Sequence, residues 1–173
     1  MTVASKIIHL PPFPSSWYVV GLSQELTIGQ IIGLQFCGQE VVLYRTQSGQ
    51  PLLSEANCAH MGAHFAHGGK VKGELLQCPF HGFCFDKSGQ CVETGYGTKA
   101  PPQAKIKTWI LREMNGMIYA WHSQTGEAPT WEIPTLDWEG WSAPRFASWR
   151  IPSHPQEIAE NSVDLGHFRH VHG

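Results

Sequence analysis

Residues 58–69, CAHMGAHFAHGG, and residues 78–86, CPFHGFCFD, decide how the rest of this sequence is read. They place Cys58-x-His60 and Cys78-x-x-His81 on two short segments, with seventeen residues between the pairs. Four soft or borderline ligands call for a metal that accepts both thiolate and imidazole. Zinc does, but zinc modules usually pair Cys with Cys and His with His. Here each segment supplies one of each, which fits a two-iron cluster in which one iron takes both thiolates and the other both imidazoles. Glycines at 62, 68, 69 and 82 leave the backbone free to close around such a group, and Pro79 stiffens the second segment.

Outward from these loops the apolar runs are short and bounded by turn residues. WYVVGL (17–22), QIIGLQFC (30–37), EVVLYRT (40–46) and PLLSEAN (51–57) read as strands. TQSGQP (46–51) reads as a hairpin turn between two of them. WILREMNGMIYAWH (109–122) is the clearest hairpin, with Asn115-Gly116 suited to the positive φ of a tight turn. The stretch between, which holds the loops, is poor in strand signal. Residues 1–16 form a proline-punctuated lead-in, and residues 17–125 are expected to form one all-β domain with long loops at one end.

The two loops resemble those of the Rieske [2Fe–2S] family, which implies a β-sandwich, with Cys58 and Cys78 on one iron and His60 and His81 on the other. In high-potential Rieske proteins each loop carries an extra cysteine, and the two form a disulfide. Ala63 and Phe80 stand at the matching positions here, so that bridge cannot form. A hydroxyl residue that donates to the cluster is replaced by Phe83. Fewer hydrogen bonds to the sulfurs imply a potential near the low end of roughly −150 to +300 mV. His64 and His67 are read as shaping the first loop, Cys84 as a buried thiol, and Cys37 and Cys91 as packing in strands or turns. His9, His122 and His154 are read as ordinary surface or half-buried residues, and the tryptophans as packing in the core or at a domain junction.

Beyond residue 125 the character changes. Residues 126–155 are rich in Trp and Pro with little periodicity, after which QEIAENSVDLGHFRHVH (156–172) carries Ile158, Val163, Leu165 and Phe168 at near-helical spacing. A helix from about Pro155 is expected, proline suiting a first turn. On it Asp164 and His167 share a face. His167 and His172, five apart, could meet on one metal only if the helix ends or widens between them; His167 and His170 need no distortion. Geometry leaves both pairs open, beside a plain solvated helix end.

The run ENSVDLGHFRHVH also resembles the mononuclear iron motif of Rieske non-haem iron oxygenase alpha subunits, Asp-x-x-His-x(4)-His with an Asn shortly before. That resemblance implies His167 and His172 as iron(II) ligands, Asn161 as a supporting residue, and Asp164 as an electron bridge to His81 of a neighbouring subunit in a head-to-tail trimer. It further implies a ferredoxin or an NAD(P)H-dependent flavin reductase as electron donor. O₂ would be activated for monooxygenase, dioxygenase or desaturase chemistry on an apolar substrate, aromatic or steroid-like, with the ketosteroid hydroxylase and cholesterol desaturase branch the nearest in pattern. The third, acidic ligand comes from far downstream in that family. The chain is therefore expected to be an N-terminal portion, with residues 126–173 the helical opening of an incomplete α+β catalytic domain and no oxygenase activity alone. A Rieske ferredoxin with a tail, or a zinc-stabilised β module, are the competing classes.

Composition bounds the rest. A hydrophobic fraction of 42% and a charged fraction of 15% describe a chain able to bury a core. The net charge of −2 and the lack of a basic run give no case for nucleic acid or a membrane surface. No run approaches the roughly 18 apolar residues of a bilayer span. Five cysteines without a secretory leader argue for metal or free thiols in a reducing compartment, so a cytoplasmic protein is expected.

Overall fold

The computed structural model describes residues 12–142, 144–147 and 149–173; His9 and most of the lead-in lie outside the described residues. The chain forms two compact units, Met1–Ser142 and Ala143–Gly173.

Three antiparallel sheets build the first unit. One joins β1 (Ser16–Leu22), β11 (Met117–His122) and β10 (Leu111–Met114). A second runs β2 (Ile31–Phe36), β3 (Gln39–Arg45), β4 (Pro51–Glu55) and β9 (Thr108–Trp109). The third consists of β5 (Lys70–Lys72), β6 (Leu75–Gln77), β7 (Cys84–Phe85) and β8 (Cys91–Glu93). These last strands have two or three residues each, too few for an alternating pattern to register in the sequence.

The middle sheet is packed on both faces, which explains why EVVLYR reads as a continuous apolar run. Val41 and Leu43 of β3 face one core with Phe36, Leu53, Ile118 and Ala120. Val42 and Tyr44 face the other, with Phe65, Leu76, Phe83, Phe85 and the cysteines 58 and 78. Each such side chain contributes about 1.5–3 kcal/mol by leaving water. Both expected hairpins form. Arg45 pairs with Pro51 across the 46–50 turn, and Asn115 (φ 54°) with Gly116 (φ 77°) turns β10 into β11. Cys37 (φ 46°) and Gly38 (φ 76°) make a second left-handed turn between β2 and β3.

A buried arginine ties this frame together. Arg45 donates to the carbonyls of Leu26 and Gly49 at 2.7 Å, and holds both carboxylate oxygens of Glu113 at 2.7 and 2.9 Å. The Arg45 bonds hold the Glu113 carboxyl below its ordinary range, against a smaller opposing effect of burial.

Residues 127–136 have no regular secondary structure but remain fastened to the β10–β11 hairpin. Trp121 and Trp17 donate through their indole nitrogens to the carbonyls of Glu127 and Trp131, each at 2.9 Å. Arg112 grips Glu132 with two bonds of 3.0 Å, and Asn115 donates to the Pro134 carbonyl and accepts from Leu136 N–H. The tryptophans divide accordingly. Trp17 and Trp121 are buried edge-on at 5.4 Å, and Trp109 packs against the core. Trp131, Trp138, Trp141 and Trp149 are exposed and lie outside the two cores.

In the second unit α1 (Pro155–Val163) starts at the expected proline, with His154 as its cap, accepting from Gln156 N–H at 3.1 Å. His154 thus has a definite structural task. The expected single helix is interrupted. Asp164 leaves helical geometry (φ −78°, ψ 82°), and its side chain accepts from Gly166 N–H at 3.1 Å, capping α2 (Leu165–His167). A short Asp side chain competes for backbone donors in this way and ends helices. Residues Phe168–His172 then continue as a π-helical turn. Among the described residues no helix is long and apolar enough to cross a membrane.

Candidate metal centres

The two metal loops are the same turn made twice. Cys58 N–H donates to the Ala63 carbonyl (2.9 Å) and Gly62 N–H returns to the Cys58 carbonyl (2.9 Å). Cys78 N–H donates to Phe83 (2.8 Å) and Gly82 N–H returns to Cys78 (3.2 Å). Gly62 and Gly82 take φ of 72° and 67° at equivalent positions. The histidine sits at the third place of the first turn and the fourth of the second, which brings the His60 and His81 rings to 4.7 Å.

Both cysteines are 3% exposed, with their thiols near enough to influence each other. Burial pushes the Cys58 thiol up to about 11, although the backbone N–H groups of His60 and Met61 point at its sulfur and favour the thiolate. Buried thiols are stabilised as thiolates when a cation sits between them. On the opposite side, His81 Nδ1 is buried with no hydrogen-bond partner. A bare buried ring nitrogen is costly unless something coordinates it. Among the described residues no three His, Cys, Asp or Glu side chains gather on a single point. Two pairs are what a binuclear cluster needs, since each iron takes two protein ligands and shares the sulfides. The residues fit a [2Fe–2S] group.

Aromatic rings enclose the histidines. Phe83 lies flat on His60 (4.3 Å between centroids, 8° between planes), and Phe80 tilts over His81 at 3.9 Å. Tyr96 stands 6.0–6.4 Å from His60, His81 and Phe83. It belongs to a third loop, residues 94–98, that no metal-ligand pattern marks in the sequence. That loop closes on itself through Thr94 and Thr98 and packs Gly95 against His81, where a Cβ would stand 2.0 Å from the His81 carbonyl oxygen. Its signal in the sequence is an aromatic between two glycines, TGYGT (94–98), too common to single out.

The neighbouring residues take supporting parts. His64 Nδ1 accepts from Ala66 N–H at 3.1 Å and stacks near His67 at 4.6 Å, bracing the first loop. Cys84 is fully buried and donates through sulfur to the Gly82 carbonyl at 3.4 Å. Cys91 is buried on β8, and Cys37 is half-buried at its turn. His122 packs edge-on to Phe13, Tyr18 and Phe36.

In the second unit a π-helical turn draws two of the histidines together. Its i-to-i+5 repeat widens the helix where residues five apart must meet, and the His167 and His172 rings lie 5.4 Å apart. His167 Nδ1 is 2.6 Å from the Asp164 backbone carbonyl, so that nitrogen is the donor and Nε2 is the free acceptor. Nε2 is buried without a partner, as a metal-facing nitrogen would be. The Asp164 carboxylate, 3.7 Å from the same Nδ1, is beyond hydrogen-bond reach and 63% exposed. Within the chain it is the Asp164 carbonyl that makes the close contact to the His167 ring. Asn161 is exposed on α1 and has no hydrogen bond to either histidine among the described residues.

A fold of three small sheets carrying two equivalent Cys/His turns defines an iron–sulfur protein of Rieske type. Residues 16–110 match the family described as the Rieske [2Fe-2S] domain, and the chain belongs to it. Residues 120–173 match the 3-ketosteroid 9alpha-hydroxylase C-terminal domain. An electron carrier alone does not account for that second match. A cholesterol 7-desaturase from Hemicentrotus pulcherrimus is 37% identical over 172 residues, covering 95% of this chain and 37% of the relative. The oxygenase component of a 3-ketosteroid-9-alpha-monooxygenase from Rhodococcus rhodochrous is 30% identical, covering 92% of this chain and 44% of its own length. The chain thus spans well under half the length of these curated relatives. Among solved structures, apo dicamba monooxygenase matches 69% of this chain and 37% of its own, at 30% identity and a TM-score of 0.62.

Proposed function

We propose that the whole protein is the terminal oxygenase component of a Rieske non-haem iron system acting on an apolar, steroid-like substrate by hydroxylation or desaturation. Cys58 and Cys78 would hold one iron of the [2Fe–2S] group, and His60 and His81 the other. His167 and His172 would supply two ligands to a mononuclear iron(II), and a carboxylate from outside residues 1–173 the third. When bound, the cluster supplies single electrons and the mononuclear iron supplies open positions for O₂. The observation that carries this reading is the second pair: an electron carrier has no use for two histidines drawn to 5.4 Å by a π-helical turn, one with its outer nitrogen buried and bare.

The other residues take roles through their placement. The Asp164 backbone carbonyl fixes the tautomer of His167, while its exposed carboxylate is free to meet His81 of a neighbouring subunit, as a head-to-tail trimer requires. Both cluster loops, 57–69 and 78–83, are without a formal charge, which suits a face that exchanges electrons across a dry contact. A ferredoxin or flavin reductase is the donor this reading needs. Residues 127–136 hold the chain against the cluster-bearing unit before it enters the second.

The test is made on the whole protein, with the cluster assembled and a steroid offered together with reductant and O₂. Product with one oxygen added, or one double bond, is the expected result, and electron transfer without any substrate turnover would sink the reading. Asp164→Asn keeps the cap acceptor and should leave the cluster spectrum intact while abolishing turnover; turnover at the parent rate would remove the bridge.

A further inference from the structure

We propose that Phe83 is a positioning residue for His60, holding the plane of its imidazole so that one ring edge faces His81. The inference rests on the reading that these histidines hold the cluster. His60 is an exposed residue near the tip of its loop, and no hydrogen bond among the described residues fixes its ring. A free imidazole there swings about its broad terminal torsion. What restrains it is Phe83, 4% exposed and anchored in the same core as Cys58, Cys78 and Phe65, with its ring 4.3 Å from His60 and only 8° from parallel. His81 meets His60 edge-on, at 70° between ring planes. The phenylalanine therefore transmits the rigid core to a ring whose other aromatic neighbours, His81 and Tyr96, meet it edge-on.

The same residue links the two turns. Its carbonyl closes the second turn by accepting from Cys78 N–H, while its side chain reaches the histidine of the first. One core residue thus sets the second loop through its backbone and the first through its ring. A branched aliphatic side chain would fill similar space but offer no plane, whereas another flat ring would preserve one.

This predicts a division between Phe83→Leu and the planar variants Phe83→Tyr and Phe83→Trp. The intact chain, with its cluster assembled, is reduced and examined by electron paramagnetic resonance, with pulsed measurement of the couplings to the two histidine nitrogens. Phe83→Leu should broaden the resonance and shift the coupling of one histidine, leaving the other in place, at iron and sulfide contents near those of the parent. Tyr or Trp should restore the parent coupling. An unchanged spectrum in Phe83→Leu at full cluster content overturns the proposal and leaves Phe83 as core packing. If Leu loses the cluster, Phe83→Met is added as a second non-planar variant. Loss in Leu and Met with retention in Tyr or Trp supports the need for a plane; loss in all four overturns it, as does retention of the parent spectrum in Met. A parent chain with no Rieske-type resonance at all would instead bring down the cluster reading itself.

Discussion

His60 and His81 rise from turns whose cysteines are buried to 3%, whereas His167 and His172 sit on a helix end where, from Leu165 to Gly173, every residue but His167 is exposed. The first pair is framed by a core that includes Phe65, Phe83 and Phe85, and by two matching sets of backbone bonds. The second is held by its own backbone, through a capping aspartate and a π-helical turn, with Val163 and Leu165 76% exposed beside it. The contrast is between side chains held by packing against a core and side chains aimed by local backbone alone. Aim needs only a few backbone hydrogen bonds; a dry, closed site needs layers of side chains.

The largest expected effect breaks the first site and spares the second. Cys78→Ser should abolish the cluster, read as loss of visible absorbance and acid-labile sulfide, while His172→Ala leaves both at parent levels. A cluster that survives Cys78→Ser, or disappears with His172→Ala, would dissolve the separation of the two sites.

A second effect tests how far the frame of the first unit depends on one buried ion pair. Arg45→Met leaves Glu113 and the carbonyls of Leu26, Gly49 and Ser23 without their donor, and should lower stability by about 3 kcal/mol, as breaking a partly buried pair does. Urea unfolding followed by tryptophan fluorescence reads this directly. The same pair gives a pH dependence. Glu113 is held below its ordinary carboxylate range in the folded chain, so its contribution is present above the unfolded value of about 4.3 and is lost as pH falls through the lower folded value. Glu113→Gln should flatten that part of the acid limb, and an unaltered acid limb would show that the pair contributes nothing.

Smaller still is the contrast between two glycines. Gly95→Ala places a methyl 2.0 Å from the His81 carbonyl, which forces the third loop away and should cost about 2–3 kcal/mol, within the range of backbone strain at a tight contact. Gly166→Ala meets only the Asp164 side chain at 3.2 Å on an exposed helix, and should change stability by less than about 1 kcal/mol. Thermal melts of the two variants compare the closed site with the open one; equal effects would erase the distinction.

The sequence made the candidate ligands of the first site legible because metal chemistry constrains residue type and spacing together, and both are written along the chain. Two hairpins were legible for a similar reason: Asn115-Gly116 and the residues around Gly49 satisfy local backbone demands that need no tertiary partner. The third sheet was not, since strands of two or three residues carry no periodicity and exist because their neighbours pair with them. The third loop was likewise hidden, because the need for glycine at 95 comes from His81, fourteen residues away, and not from its own turn.

The tail divides in the same manner. By itself the sequence determined that Asp164, His167, His170 and His172 lie close together, and that proline begins the helix before them. Which histidines meet was decided by three-dimensional structure: Asp164 ends α1, a second cap starts α2, and the widened turn that follows brings together residues five apart. Spacing along a chain fixes contacts only when the helix type is known, and helix type is set by hydrogen bonds that each residue type permits without dictating. Ligand chemistry is a property of side chains and can be read one residue at a time. The plane of His60 on Phe83 and the bare nitrogen of His167 are properties of packing, and exist only once the chain has closed on itself.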